Sequence, residues 1–246
     1  MATHLFSVRR TVVGIVASVA LVTAACHKSD SVTAPRAAVS LQVSGGDKQI
    51  GIVGQALQSP VIVGVTDAGG QPLAGVIVNF AVTAGGGSLS SATALTGENG
   101  RAEVQWTLGT LAGSGAVTAT ASASLTAAFS SVATAGSVVS LVKLSGDGQS
   151  VAGGATTAPF SVRAVDLYGN AAGGVTVTWV DSNGGVLSSD ASLTDANGIA
   201  QITLQTDAQT ENYTISAVVN GITPVVFTAS STASSTASGS TGTAGN

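Results

Sequence analysis

One stretch of this 246-residue chain occurs twice, and that copy limits what the chain can fold into more than any other feature. It first reads DAGGQPLAGVIVNFAV, residues 67–82, then GGSLS, then TGENGRAEVQWTL, residues 96–108. It returns as DLYGNAAGGVTVTWV, residues 166–180, then GGVLS, then TDANGIAQITL, residues 194–204. Each copy orders the same parts: a strand, a tight turn, a strand with one aromatic, and an Asn-Gly turn. A fixed period of this length means two copies of one folded unit, each of ordinary domain size.

The two copies together show which side of each strand faces inward. Val61, Val63 and Val65 become Phe160, Val162 and Ala164, with Arg163 between the last two. Val76, Val78 and Phe80 become Val175, Val177 and Trp179, separated by Thr176 and Thr178. Ala102, Val104 and Trp106 become Ala200, Ile202 and Leu204, with Leu108 continuing the first run. Val117, Ala119 and Phe129 become Ile215, Ala217 and Phe227, and Leu41 and Val43 alternate as an opening strand. Alternate positions stay apolar in both copies while their neighbours turn polar, which is how register is fixed when one face of a sheet is buried. About seven to nine short strands per copy, with turns every 8–12 residues, predict two tandem immunoglobulin-like antiparallel β-sandwiches in an all-β chain. The composition agrees: only 8% of residues are charged and 4% aromatic, and Gly numbers 32, a mixture suited to short strands and turns.

Residues 1–26 carry Arg9 and Arg10, then an apolar run from Thr11 to Val22, then small residues. A run of about a dozen residues is too short to span a bilayer, which takes roughly 20. This is the layout of a secretory signal peptide. Cys26, the one cysteine of the chain, follows Val22-Thr23-Ala24-Ala25. The segment resembles a bacterial lipoprotein signal, in which that cysteine becomes the lipidated first residue, although Thr23 stands where such signals carry Leu. The resemblance implies an anchor of acyl chains of the palmitate type, each buried methylene contributing about 0.8 kcal/mol. It also leaves no thiol for a disulfide. His27 follows where an Asp would mark retention at the inner membrane, so the pattern resembles that of lipoproteins sent to the outer membrane.

The reading of the whole chain is then a signal peptide over 1–25, a flexible tether over 26–38, domains over 39–135 and 136–229, and a disordered Ser/Thr/Ala/Gly tail over 230–246. The joint between domains is the short run Ala133-Thr134-Ala135-Gly136-Ser137.

The ordered motifs carry a closer resemblance. Val63, Val65, Asp67, Gly70, Pro72, Gly75, Val76, Val78, Phe80, Gly86, Gly87, Leu89, Ser90, Thr96, Asn99, Gly100 and Ala102 match the pattern of the bacterial immunoglobulin-like domain (group 1) of invasin and intimin type. The second copy departs at Ala171, where the first has Pro72, and at Trp179 in place of Phe80. The resemblance covers roughly four fifths of the chain beyond its signal. It implies an exported, non-catalytic module of the cell envelope.

Chemistry finds little purchase. Net charge is −4; removing residues 1–25 takes away two of the eight basic residues and no acid, leaving −6. With no basic patch, nucleic acid is not a partner. A nucleophilic triad needs a histidine, and beyond the signal only His27 exists, in the tether. A zinc site needs three or four ligands and only carboxylates are on offer, so no metal and no cofactor is expected. Asp181 with Asp190, and Glu98 with Glu103, are carboxylate pairs flanking loops, read here as solvated loop acids. Calcium between the domains through Asp147, Asp166 or Asp195 is the remaining metal candidate, without the Asp-x-Asp clustering of a calcium loop. Trp106 and Trp179 fall on inward positions and are core. Tyr168 lies in a turn and is the aromatic best placed to touch a partner. Catalytic residues are none, and ligand-binding residues beyond the lipidation site Cys26 are unassigned. The chain therefore reads as a non-enzymatic cell-envelope lipoprotein, an elongated structural or presentation module anchored in the membrane by its N-terminal lipid. The rival reading is a surface adhesin that binds a glycan, matrix or cell-surface protein through sandwich loops.

Overall fold

A computed structural model describes residues 36–233, and the signal segment, Cys26, His27 and most of the tail lie outside them. The first repeat forms ten strands: β1 Ser40–Gly45, β2 Gln49–Ile52, β3 Val61–Thr66, β4 Ile77–Ala84, β5 Gly87–Leu89, β6 Thr93–Leu95, β7 Arg101–Val104, β8 Trp106–Leu108, β9 Gly113–Ser122 and β10 Leu125–Thr134. The second repeats them: β11 Val138–Ser145, β12 Gln149–Ala152, β13 Phe160–Asp166, β14 Thr176–Asp181, β15 Val186–Leu187, β16 Ala191–Leu193, β17 Ile199–Ile202, β18 Leu204–Gln205, β19 Glu211–Val218 and β20 Val225–Thr232. In each repeat a three-stranded sheet (β1-β3-β7 and β11-β13-β17) faces a five-stranded one (β2-β10-β9-β4-β6 and β12-β20-β19-β14-β16). A two-stranded ladder (β5-β8, β15-β18) closes one side.

The predicted inward positions are the core. Val61, Val63, Val65, Val78, Phe80, Trp106, Val117 and Phe129 are buried in one cluster. Phe160, Val162, Val177, Trp179, Leu204, Ile215 and Phe227 are buried in the other. Phe160 meets Phe227 edge-on, with centroids 5.5 Å apart, a favoured geometry for two quadrupoles. Both Asn-Gly turns place glycine at positive φ, 70° at Gly100 and 73° at Gly198, where a side chain would also collide with backbone.

Four expectations are corrected. The run Ala102–Leu108 is two strands, not one: Gln105 interrupts it, so β7 pairs with β3 while β8 pairs with β5. The same break separates β17 from β18, which raises the strand number to ten per repeat. Val43 is exposed although Leu41 is buried, because a bulge between Val43 and Gly45 turns β1 out of its sheet. That turn carries the chain across to lie as β2, parallel to β10 in the other sheet. The last strand continues through Ser230 and Ser231 to Thr232, past the expected end of the domain at Ala229. Ser231 is buried and its hydroxyl donates to the Gln209 carbonyl at 2.6 Å, so a polar residue is held in the domain by a hydrogen bond. The tether reading fails at its end: Ala38 packs on the core, and Arg36 is tied to Asp67 with Nε 2.5 Å from Oδ2.

The two cores differ in where the large ring comes from. In the first repeat Trp106 of β8 fills the space beside Gly115 of β9, where an added Cβ would lie 3.0 Å from the indole and 2.8 Å from Ser131 Oγ. In the second the corresponding pair is Leu204 and Tyr213, with Thr157 and Thr206 standing where the first has Leu57 and Leu108. Tyr213 is buried and its hydroxyl accepts from the Asp207 N–H at 2.9 Å. Ring and space have changed strands. Trp106→Leu should therefore cost about 2–4 kcal/mol through the cavity it leaves. Gly115→Tyr alone should also destabilise, by overpacking. The double variant should be more stable than the sum of the two, by about 1 kcal/mol or more in a urea-unfolding cycle.

Candidate functional site

The loop acids singled out above do not converge. Among the described residues no group of three or more His, Cys, Asp and Glu assembles to hold a metal ion. Each of the three aspartates considered for calcium accepts hydrogen bonds from its own loop or a neighbouring strand. Asp195 Oδ1 accepts from the N–H groups of Asn197 and Ile199 at 2.8 and 2.9 Å, and these donors hold its pKa below the usual value. Glu98, Glu103 and Asp190 are exposed. Asp181 Oδ2 accepts from Gly185 N at 2.8 Å, which closes the loop before β15, while its Oδ1 is buried without a partner.

Asp147 belongs to a device that both repeats carry and that single-residue reading overlooks. Asp47 Oδ1 accepts from Ser130 N at 2.8 Å and from the Ser130 hydroxyl at 3.0 Å. Asp147 Oδ1 does the same with Thr228, at 2.9 and 3.2 Å. Beside them Gln49 and Gln149 each donate twice to loop carbonyls, at Gly46 and Ser59 and at Gly146 and Ala158. The four residues together pin the crossing of β1 into β2, and of β11 into β12, onto the last strand. The signal was in the sequence as Gly-Asp-Lys-Gln at 46–49 and Gly-Asp-Gly-Gln at 146–149.

The remaining aspartates define the joint. In the first repeat Asp67 Oδ1 accepts from Gly69 N and Gln71 N, both at 2.9 Å, and its other oxygen takes Arg36. In the second, Asp166 Oδ1 accepts from Tyr168 N and Asn170 N at 2.9 and 2.8 Å. Its Oδ2 takes Gly136 N, from the linker, at 2.9 Å, and the Asn170 amide at 2.9 Å. Asn170 reaches the first domain: Nδ2 donates to Thr110 O and Oδ1 accepts from Ala112 N, both at 2.8 Å. Burial alone would raise the pKa of Asp166; the Asn170 amide and the N–H groups of Gly136, Asn170 and Tyr168 outweigh it and hold it below the usual value. Tyr168 is 48% exposed and lays its other side over Gly54, where an added Cβ would lie 2.9 Å from its hydroxyl. The aromatic picked from sequence is thus a domain–domain contact. Two open clefts flank the joint, of about 490 and 450 Å³. Asp166 is the one charged residue among their linings, and it is already committed to the turn; the first cleft is lined mainly by backbone and small side chains, the second also by Ile52, Gln55, Leu167 and Tyr168.

Trp106 and Trp179 are buried, as expected, so neither is a stacking platform. Trp179 donates to Ser192 Oγ at 2.9 Å, whereas Trp106 Nε1 is buried unpartnered.

Two sandwiches of immunoglobulin type, joined by a side-chain lock, define a tandem modular protein. The chain belongs to the bacterial Ig-like domain (group 1) family, whose model matches residues 54–134 and again 142–223. Ig-like domains of this adhesin-related type are non-catalytic. Among solved structures it is similar to FdeC, an Escherichia coli adhesin, at 21% identity and a TM-score of 0.55, over 79% of this chain and 62% of that one. It is also similar to the D0-D1 domain of intimin, at 22% identity and a TM-score of 0.33, over 77% of this chain and 98% of that one. Invasin, a bacterial integrin-binding protein, matches at 21% identity and a TM-score of 0.37, over 80% of this chain and 40% of that one. No curated protein matches the sequence.

Two outcomes test these assignments. Asn170→Ala should leave the thermal unfolding of each domain within about 1 kcal/mol of the parent while broadening interdomain orientations in residual dipolar couplings. Lys143 and the Thr228 backbone lower the pKa of Asp147 from 3.8 to about 2. A group with a depressed folded-state pKa stabilises above its unfolded pKa and loses that contribution as pH falls through the folded one. The second domain should therefore lose stability between about pH 4 and pH 2, and Asp147→Asn should flatten that slope in calorimetric scans.

Proposed function

We propose that this protein is a lipid-anchored spacer of the cell envelope: two Ig-like domains held in a set orientation that carry the C-terminal segment away from the membrane. The observation that carries this reading is the Asp166–Asn170 lock. Hydrogen bonds from one side chain to two backbone groups of the preceding domain, braced by a linker N–H, favour one arrangement of the tandem over free pivoting. A protein whose work is to hold distance needs that, and a protein whose work is chemistry does not. Membership of a family found in adhesins supports export and envelope location. The lipoprotein-like run ending in Cys26 supports an N-terminal anchor, with the outer membrane as destination.

The rival is adhesion through loops at the far end of the second domain, which the similarity of fold to an adhesin supports. The two are separated by screening the purified chain against glycans, matrix proteins and host cells: the spacer reading expects no binding above a scrambled-loop control. Saturable binding that loop substitutions abolish would replace it with the adhesin. The anchor has its own test. Cys26→Ser should move the protein from the membrane fraction to the soluble one and remove incorporation of labelled palmitate. Retention of the Cys26→Ser chain in membranes would overturn lipid anchoring and leave the fold untouched.

A further inference from the structure

We propose that Asn183 is a self-modification site. In the folded chain its side-chain amide is lost to attack by the Gly184 nitrogen, leaving aspartate or isoaspartate, ahead of every other Asn-Gly pair. The proposal goes beyond the spacer reading and needs neither the anchor nor a partner.

The chain has four Asn-Gly pairs, at 99–100, 183–184, 197–198 and 220–221. The dipeptide is open to this chemistry because glycine puts no side chain beside the attacking nitrogen. The Gly184 nitrogen bonds to Asn183 Cγ, the Cγ–Nδ2 bond breaks, and ammonia leaves with the proton that the Gly184 nitrogen gave up. Water, the one co-reactant, then opens the cyclic imide at either of its carbonyls.

The fold separates the four pairs by what it does with the attacking N–H. Gly100 N–H donates to Gly97 O and Gly198 N–H to Asp195 O, both at 2.9 Å. Both glycines are buried, and a Cβ on either would lie 2.7 Å from a backbone oxygen, Val65 O or Ala164 O. The Asn99 amide oxygen is held as well, by Arg101 N–H at 3.0 Å. These two pairs react only after their turns open. Asn220 sits in a β-turn closed by a bond from Ile222 N–H to Val219 O at 3.1 Å, which holds the backbone torsions that ring closure must change.

Asn183 differs on each count. Asn183 and Gly184 are exposed, and nothing lies within 4 Å of where a Gly184 Cβ would stand. Among the described residues the Gly184 N–H has no acceptor. Its neighbours on both sides are taken by one carboxylate: Asp181 Oδ2 accepts from Gly185 N at 2.8 Å and from Asn183 N at 3.3 Å. The loop is thus bent around Gly184 with that N–H left over. Ser182 supplies the electrophile's partner. Its hydroxyl donates to Asn183 Oδ1 at 2.6 Å, the oxygen on which negative charge develops as Cγ is attacked. The fold does not require any of this, since the first repeat runs Val82-Thr83-Ala84-Gly85 over the corresponding stretch, with neither amide nor carboxylate. The product sets a second carboxylate two residues from Asp181. In its isoaspartyl form it also lengthens the backbone just ahead of β15, whose ladder with β18 has two residue pairs.

The test is incubation of the full chain in detergent at neutral pH, in water enriched in oxygen-18, followed by peptide mass mapping; a parallel sample is unfolded in urea. In the folded chain Asn183 should convert at least about tenfold faster than Asn99 and Asn197, and faster than Asn220. In urea the four rates should converge. Ser182→Ala should slow conversion at Asn183 by about three- to tenfold with Tm unchanged, and Ser182→Thr should restore it. A folded-state rate at Asn183 no greater than that at any one of the other three pairs overturns the proposal. So does an Asn183 that stays intact in the folded chain while it converts in urea. An unchanged rate in Ser182→Ala overturns the part given to the hydroxyl.

Discussion

Hydrogen bonding of turn carboxylates to backbone N–H groups is the constraint on which the rest of this structure depends. A chain with 8% charged residues and few aromatics has little beyond aliphatic burial to specify its loops. Four aspartates supply the specification. Asp47 and Asp147 fix the crossing between sheets; Asp67 fixes the turn between β3 and β4, and Asp166 the turn between β13 and β14. An ionised carboxylate accepting several N–H bonds is worth more than a neutral pair, because the acceptor carries full charge. Fixing the crossing also shields the β10 and β20 edges, since β2 and β12 lie along them.

The same device has been put to two uses. At Asp67 the second oxygen takes a guanidinium from the residues preceding the domain; at Asp166 it takes a linker N–H and orients Asn170. One turn thus closes the entrance to the first domain and, a repeat later, ties two domains together. Asp147 and Asp166, which the sequence offered as calcium ligands, are instead committed to holding the fold in shape.

The inner architecture was legible because there were two copies. Positions such as Val78 and Val177, or Phe129 and Phe227, stayed apolar while their neighbours changed, and they are buried. Period-2 patterning could not show that Gln105 breaks a strand, since Glu103, Gln105 and Thr107 alternate as one strand should. The break is made by a pairing with β5 that depends on the loop before it. Nor could it show that Val43 turns outward at a bulge, or that Ser231 is held inside by the Gln209 carbonyl. The joint was hidden for a different reason. Asn170 and Thr110 are 60 residues apart, and nothing in a turn sequence says that it will meet another domain. Cys26 rests on sequence pattern alone, because it lies outside the described residues.

The migration of the large ring from β8 to β19 has a consequence for how the chain reaches its folded state. Adjacent similar repeats on one polypeptide are prone to exchange strands during folding. A hybrid sandwich pairing β9 with β18 would set Gly115 against Leu204 and leave a void where the indole should be. The opposite hybrid would drive the Tyr213 ring into Trp106. Each repeat therefore recognises its own strands by volume, and the divergence of the two cores acts as a kinetic address label.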